Sequence, residues 1–146
     1  MIEEFHQSKG IDVKNPLTAM WFGRLGNRHY GVLLIAFWIA SHLIHFVMPY
    51  SWQTINLLTS FVIITIFSGI IARRLHDFGQ SGKWAFLSFV PFVFLFLGVG
   101  SLVGLTDLFV SLIKLMIVFI PGTAGRNAYG DSPKESPSLR TLLFGL

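Results

Sequence analysis

The chain has 146 residues, 53% of them hydrophobic and only 12% charged, with 15 phenylalanines and a formal net charge of +4. Its polar residues are too few to cover that much apolar surface in water, which excludes an ordinary soluble domain. The absence of cysteine removes disulfides, thiolate metal sites and cysteine nucleophiles together. The basic residues are split among three segments and build no basic helix with interleaved aromatics, so no nucleic acid partner is expected.

Residues 1–15 read as a polar N-terminal tail of mixed charge. Asn15 then offers a helix cap and Pro16 suits the first helical position, where a missing N–H is no loss. Leu17, Met20, Trp21 and Leu25 recur at helical spacing with Arg24 and Arg28 beside them. The pattern predicts a short amphipathic helix lying on the cytoplasmic membrane surface, bent away from the first apolar run by Gly23 and Gly26.

Four apolar runs come next, over residues 31–50, 52–72, 84–105 and 106–121. A spanning helix needs roughly 20 apolar residues. The first three runs meet that length and the fourth falls short. Lys9, Lys14, Arg24 and Arg28 precede the first run; Arg73, Arg74 and Lys83 separate the second from the third; Arg126, Lys134 and Arg140 follow the fourth. Under the positive-inside rule both termini and the middle loop are cytoplasmic. The expected fold is an all-α membrane protein with four transmembrane helices. Residues 16–133 form its single membrane domain, and 134–146 a C-terminal tail. The first run lacks a small-x-small cleavage site and reads as a retained span rather than a signal.

The loop after the second run holds the densest polar sequence, RRLHDFGQSGKW. Arg73, His76 and Asp77 share one helical face, and arginine and histidine complement the negative end of that helix. Gly79 supplies a left-handed stop, and Ser81 a cap before Trp84 re-enters at the interface. These charges either hold two helices in register or receive an anionic headgroup or a proton. After the fourth run, PGTAGRNAYGDSP is barred from regular structure by its glycines, Pro121 and Pro133. Its Asn127 and Tyr129 can fold back under the bundle toward the RRLHD turn.

A G-R-x-x-x-R element at Gly23, Arg24 and Arg28, the central RLHD-x-G-x-SG-x-W and the closing PGT-x-G-x-N-x-YG-x-x-P together resemble the domain-of-unknown-function-805 family. The resemblance runs from about Trp21 to Pro133. It implies a small bacterial inner-membrane protein with four helices; separately, no cofactor is expected. It also marks a cytoplasmic polar cluster of Arg24, Arg28, Arg73, Arg74, His76, Asp77, Ser81, Trp84, Arg126, Asn127 and Tyr129, able to meet anionic lipid headgroups or a partner. Lys83, Asn27 and Ala128 depart from the family pattern and thin its arginines.

A second constellation lies inside the apolar runs. His42 and His45 share a face of the first, Asn56 and Ser60 a face of the second, and Asp107, Ser111 and Lys114 a stripe down the fourth. A lone lysine facing lipid costs about 2.5–3.5 kcal/mol on insertion scales, so these stripes are expected to face one another. Three readings fit them: a polar clasp led by Asp107 and Lys114, an ion or proton pathway, or a metal site on His42, His45 and Asp107. The clasp is the expectation, with no metal bound. Pro91 predicts a kink in the third helix, and Gly100 and Gly104 a G-x-x-x-G seam.

No nucleotide loop, serine elbow, paired carboxylates or H-E-x-x-H helix is present. The leading reading is therefore a non-catalytic accessory, regulatory or scaffold subunit, as a homo-oligomer or within a larger membrane complex. The alternative is a small oligomeric ion, proton or solute transporter using His42, Asp107 and Lys114. A lipid-headgroup enzyme using His76 and Asp77 as acid and base is the least supported.

Overall fold

The computed structural model describes residues 21–47 and 52–133. The N-terminal tail, the first part of the expected surface helix, the link at 48–51, the tail 134–146 and the His45 side chain lie outside the described residues. Within them the chain is all helical: α1 Asn27–Val47, α2 Gln53–Asp77, a 3-10 helix Gly82–Phe89, α3 Val90–Phe96 and α4 Gly100–Phe119. By length and composition α2 and α4 are apolar enough to cross a membrane. The 21 residues of α1 have the length as well, with a polar first turn.

Helix ends follow from local chemistry. At the end of α2, the Gly79 N–H donates to the His76 carbonyl at 3.1 Å and the Gln80 N–H to that of Leu75 at 2.9 Å. Gly79 itself takes φ +79°. This is the paired closure of a Schellman stop, which only a residue tolerant of left-handed backbone makes cheaply. Ser81 then accepts from the Lys83 N–H and starts the 3-10 helix.

The expected third span, 84–105, is divided differently. Its first part is the 3-10 helix, and Pro91 stands in the first turn of α3 rather than at a mid-helix kink. Proline suits that position because the first N–H groups of a helix have no internal partner. A second Schellman stop ends α3, with the Gly98 N–H on Leu95, the Val99 N–H on Phe94 and φ +72° at Gly98. The fourth helix therefore begins at Gly100, six residues before the expected 106, and reaches the 20 residues a span needs. Residues 21–26, expected as the end of the surface helix, form a turn and irregular backbone with φ +85° at Gly23.

The core sits at one end of the molecule. Leu25, Tyr30, Leu33, Phe67, Ile70, Ile71, Ala72, Leu75, Ala85 and Ile117 are all buried there, and every residue of α2 from Phe67 to Asp77 is buried. Toward the opposite end the helices enclose a cavity instead of a packed core.

Candidate functional site

The buried end carries charge as well as hydrocarbon. Arg73 and Arg74 are among the largest fully buried side chains, and the Arg24 side chain is 1% exposed. Asp77 is the carboxylate they surround. Arg24 donates to its Oδ1 through Nε at 3.1 Å and Nη2 at 2.9 Å, while Arg74 Nη1 donates to Oδ2. A buried ion pair repays its desolvation only when its remaining donors and acceptors are also satisfied. Here the carbonyls of the closing loop and of α4 do that. Arg24 donates to the carbonyls of Thr123, Gly125 and Gly130. Arg74 donates to those of Ile117 at 3.3 Å and Ile120. Arg74 thereby caps the C-terminal end of α4, where carbonyls lack helical partners and carry partial negative charge.

The backbone around Asp77 is fastened too. Its carbonyl accepts from both the Thr123 N–H and the Thr123 hydroxyl, each at 2.9 Å. A side chain at Gly122 would overlap the Asp77 carboxylate, so glycine alone fits there. Asn127 Nδ2 donates to the His76 carbonyl and to Thr123 Oγ1, each at 2.9 Å. The His76 Nδ1–H donates to the Gly23 carbonyl at 3.1 Å, and its ring lies flat against Tyr129. A Cβ at Gly82 would sit 2.8 Å from His76 Nε2, so the loop glycine admits the imidazole edge. Elements that are far apart in sequence thus close into one latch.

Not every predicted residue belongs to it. Arg74, rather than Arg73, meets Asp77: both lie within reach of the carboxylate along the helix, and Arg74 is the one to which α4 presents the Ile117 and Ile120 carbonyls. Arg73 is buried on the neighbouring flank, and its carbonyl accepts the Leu25 N–H at 3.1 Å. Arg28 is exposed, Arg126 makes an exposed pair with Asp131 at 4.0 Å, Ser81 serves as a cap, and Trp84 projects outward. Thr123 lies within the closing PGT motif but is not among the residues expected in the polar cluster. The tight glycine before it, in PGT, is the available signal.

The second constellation lines the cavity, about 1130 Å³, which is walled by α1, α2, α3 and α4. His42, Asn56, Ser60, Asp107, Ser111 and Lys114 all contribute to it. The Asp107–Lys114 clasp is not formed: among the described residues the ion pairs are those of Asp77 and the Arg126–Asp131 pair. Two helical turns separate them, about 10.5 Å along the axis, too far for an aspartate to close. Lys114 Nζ instead lies 5.7 Å from the centre of the Phe67 ring. Tyr30 stacks on Phe67 and donates its hydroxyl to the Lys114 carbonyl at 3.1 Å, and Phe37 packs on Phe67 as well. This aromatic floor separates the cavity from the latch. Among the described residues no group of three His or acidic side chains could hold a metal ion.

The latch joins the N-terminal arginine, the central RLHD and the closing PGT, which are the elements of sequence that carry the family resemblance. The family described as Protein of unknown function (DUF805) matches over residues 18–131. The Escherichia coli K12 protein named Inner membrane protein YhaI is 30% identical over 116 residues, covering 77% of this chain and 84% of its own. Uncharacterized protein YiiR of the same strain is 30% identical over 129 residues, covering 77% and 85%. No solved structure matches the chain. With the match reaching across both the latch and the cavity, the chain belongs to the DUF805 family.

Proposed function

We propose that this protein is a non-catalytic, four-span component of the bacterial inner membrane, with both termini cytoplasmic, acting as an accessory, regulatory or scaffold subunit. The observation that carries the non-catalytic part is the saturation of the latch. Asp77 is engaged on both oxygens, and His76 is held by Gly23 and Tyr129, so neither is poised as an acid or base toward a substrate.

The membrane reading is supported by the large apolar side chains exposed along α1, α2 and α4, among them Phe46 at 88% and Phe119 at 77%. It is supported too by the relative named as an inner membrane protein. The 3-10 helix matters here, because its longer rise stretches the 15 residues of Gly82–Phe96 to about 26 Å, close to a bilayer core. On this reading the latch faces the cytoplasm, with exposed Arg28 and Lys83 available to anionic headgroups. Extraction in mild detergent followed by native mass spectrometry tests the assignment. A co-purifying protein or a defined homo-oligomer is the expected result, and a lone monomer that turns over lipid headgroups would overturn it.

A second reading, a small oligomeric transporter, is favoured by the polar groups lining the cavity alone. It requires the floor of Tyr30, Phe37 and Phe67 to open. Proton or cation flux into liposomes that vanishes in Lys114→Met would establish it.

A further inference from the structure

We propose that the cavity is a binding site for a zwitterionic amphiphile: one head carrying an ammonium and a phosphate or carboxylate, with an apolar chain behind it. The inference rests on the membrane reading above, which brings such molecules to the cavity.

The polar groups in its wall sort into two kinds. Asn56 Oδ1 is buried with no hydrogen-bond partner. The His42 Nδ1–H donates to the Trp38 carbonyl at 2.9 Å, which leaves Nε2 of the neutral ring an acceptor. Asp107 adds a carboxylate that no cation meets among the described residues. Three acceptors on three helices around one space call for a donor with several hydrogens, and an ammonium has three. Deeper in the same space, Lys114 supplies the opposite requirement. Its ammonium has an aromatic face beside it and no carboxylate within ion-pairing distance among the described residues, Asp107 acting on it only from farther along α4. Helical side chains lean toward the N-terminus, so Lys114 reaches back up α4 toward Asp107 without closing on it. A ligand carrying both charges gives each group a contact partner at once, whereas a simple cation or anion leaves one of them without one in an apolar wall.

The remaining wall argues for the chain. Phe37, Phe92, Leu95 and Leu115 line the cavity, and its volume slightly exceeds that of ordinary ligand pockets, which run to about 1,000 Å³. The closed aromatic floor makes it a dead-end pocket, so the ligand is held there and not conducted.

The test uses the full chain in neutral detergent with Trp21, Trp52 and Trp84 changed to Phe, so that Trp38 on the cavity wall is the sole indole. Quenching of Trp38 is read with three lipids sharing one brominated acyl chain: lysophosphatidylethanolamine, lysophosphatidylglycerol and monoacylglycerol. Half-maximal quenching by the ethanolamine lipid is expected at a concentration at least about tenfold below that of monoacylglycerol. Asp107→Asn should abolish the preference for ethanolamine over glycerol heads, and Lys114→Met the preference for either phosphate lipid over monoacylglycerol. Free O-phosphoethanolamine should not displace the lipid. Equal quenching by all three lipids in the unsubstituted cavity overturns the proposal without recourse to any variant. So do preferences that survive both variants, or displacement by the free head, which would mark a soluble zwitterion as the ligand. Quenching in detergent does not depend on sidedness, so a failed topology experiment and a failed binding experiment remain distinguishable.

Discussion

The imidazole of His76 and the phenol ring of Tyr129 lie face to face, 3.9 Å between centres and 5° from parallel. A residue at the end of α2 and one in the closing loop are thus joined by a contact separate from the ion pairs beside it. Aromatic pairs contribute about 0.5–1.5 kcal/mol beyond the area they bury. Tyr129→Phe should therefore leave the melting temperature in detergent unchanged, and Tyr129→Ala should lower it. A drop of equal size in both variants would place the contribution in the hydroxyl and not in the stack.

Asp77 holds two buried guanidiniums, so its removal strands both. Breaking a buried pair by deleting one partner costs about 3–5 kcal/mol, against about 0–1 kcal/mol for an exposed pair. Asp77→Ala should reduce thermal stability far more than Asp131→Ala, whose pair with Arg126 is long and open to solvent. Matching melting curves for the two would show that the latch contributes no stability.

Glycines make a sharper test of packing. A methyl at 122 meets the Asp77 carboxylate, whereas nothing lies within 4 Å of a methyl at 104. Gly122→Ala is expected to loosen the latch, read as faster proteolysis of the closing loop. Gly104→Ala should be neutral, or stabilising by up to about 1 kcal/mol through helix propensity. If Gly104→Ala instead dissociates an oligomer, the G-x-x-x-G stripe is a helix seam.

The four-span arrangement predicts opposite sidedness for the two ends of α2. Because the chain has no cysteine, single cysteines at positions 51 and 81 are unique labels. An impermeant thiol reagent applied to intact cells should modify Ser51→Cys, and modify Ser81→Cys only after permeabilisation. Labelling of both from the same side would end the four-span reading.

Composition and hydropathy alone determined that this chain is helical and apolar. Single residues set the stop at Gly79 and the cap at Ser81, because those signals act within a few residues of backbone. The stop at Gly98 is not legible in the same way, since a glycine inside a long apolar run looks the same whether it lies in a helix or ends one. The three motifs could be read as polar islands. That Arg74, rather than Arg73, would meet Asp77 could not, because both arginines lie within reach of that carboxylate along the helix. Only the packing of α4 decided between them, by presenting the Ile117 and Ile120 carbonyls to one guanidinium. The same holds for Lys114. Sequence placed Asp107 and Lys114 on one stripe two turns apart, but the rotation of α1 and α2 against α4 determined that this stripe would face His42, Asn56 and Ser60 across a cavity. Helix rotation is set by side chains distant in sequence, and no local periodicity encodes it.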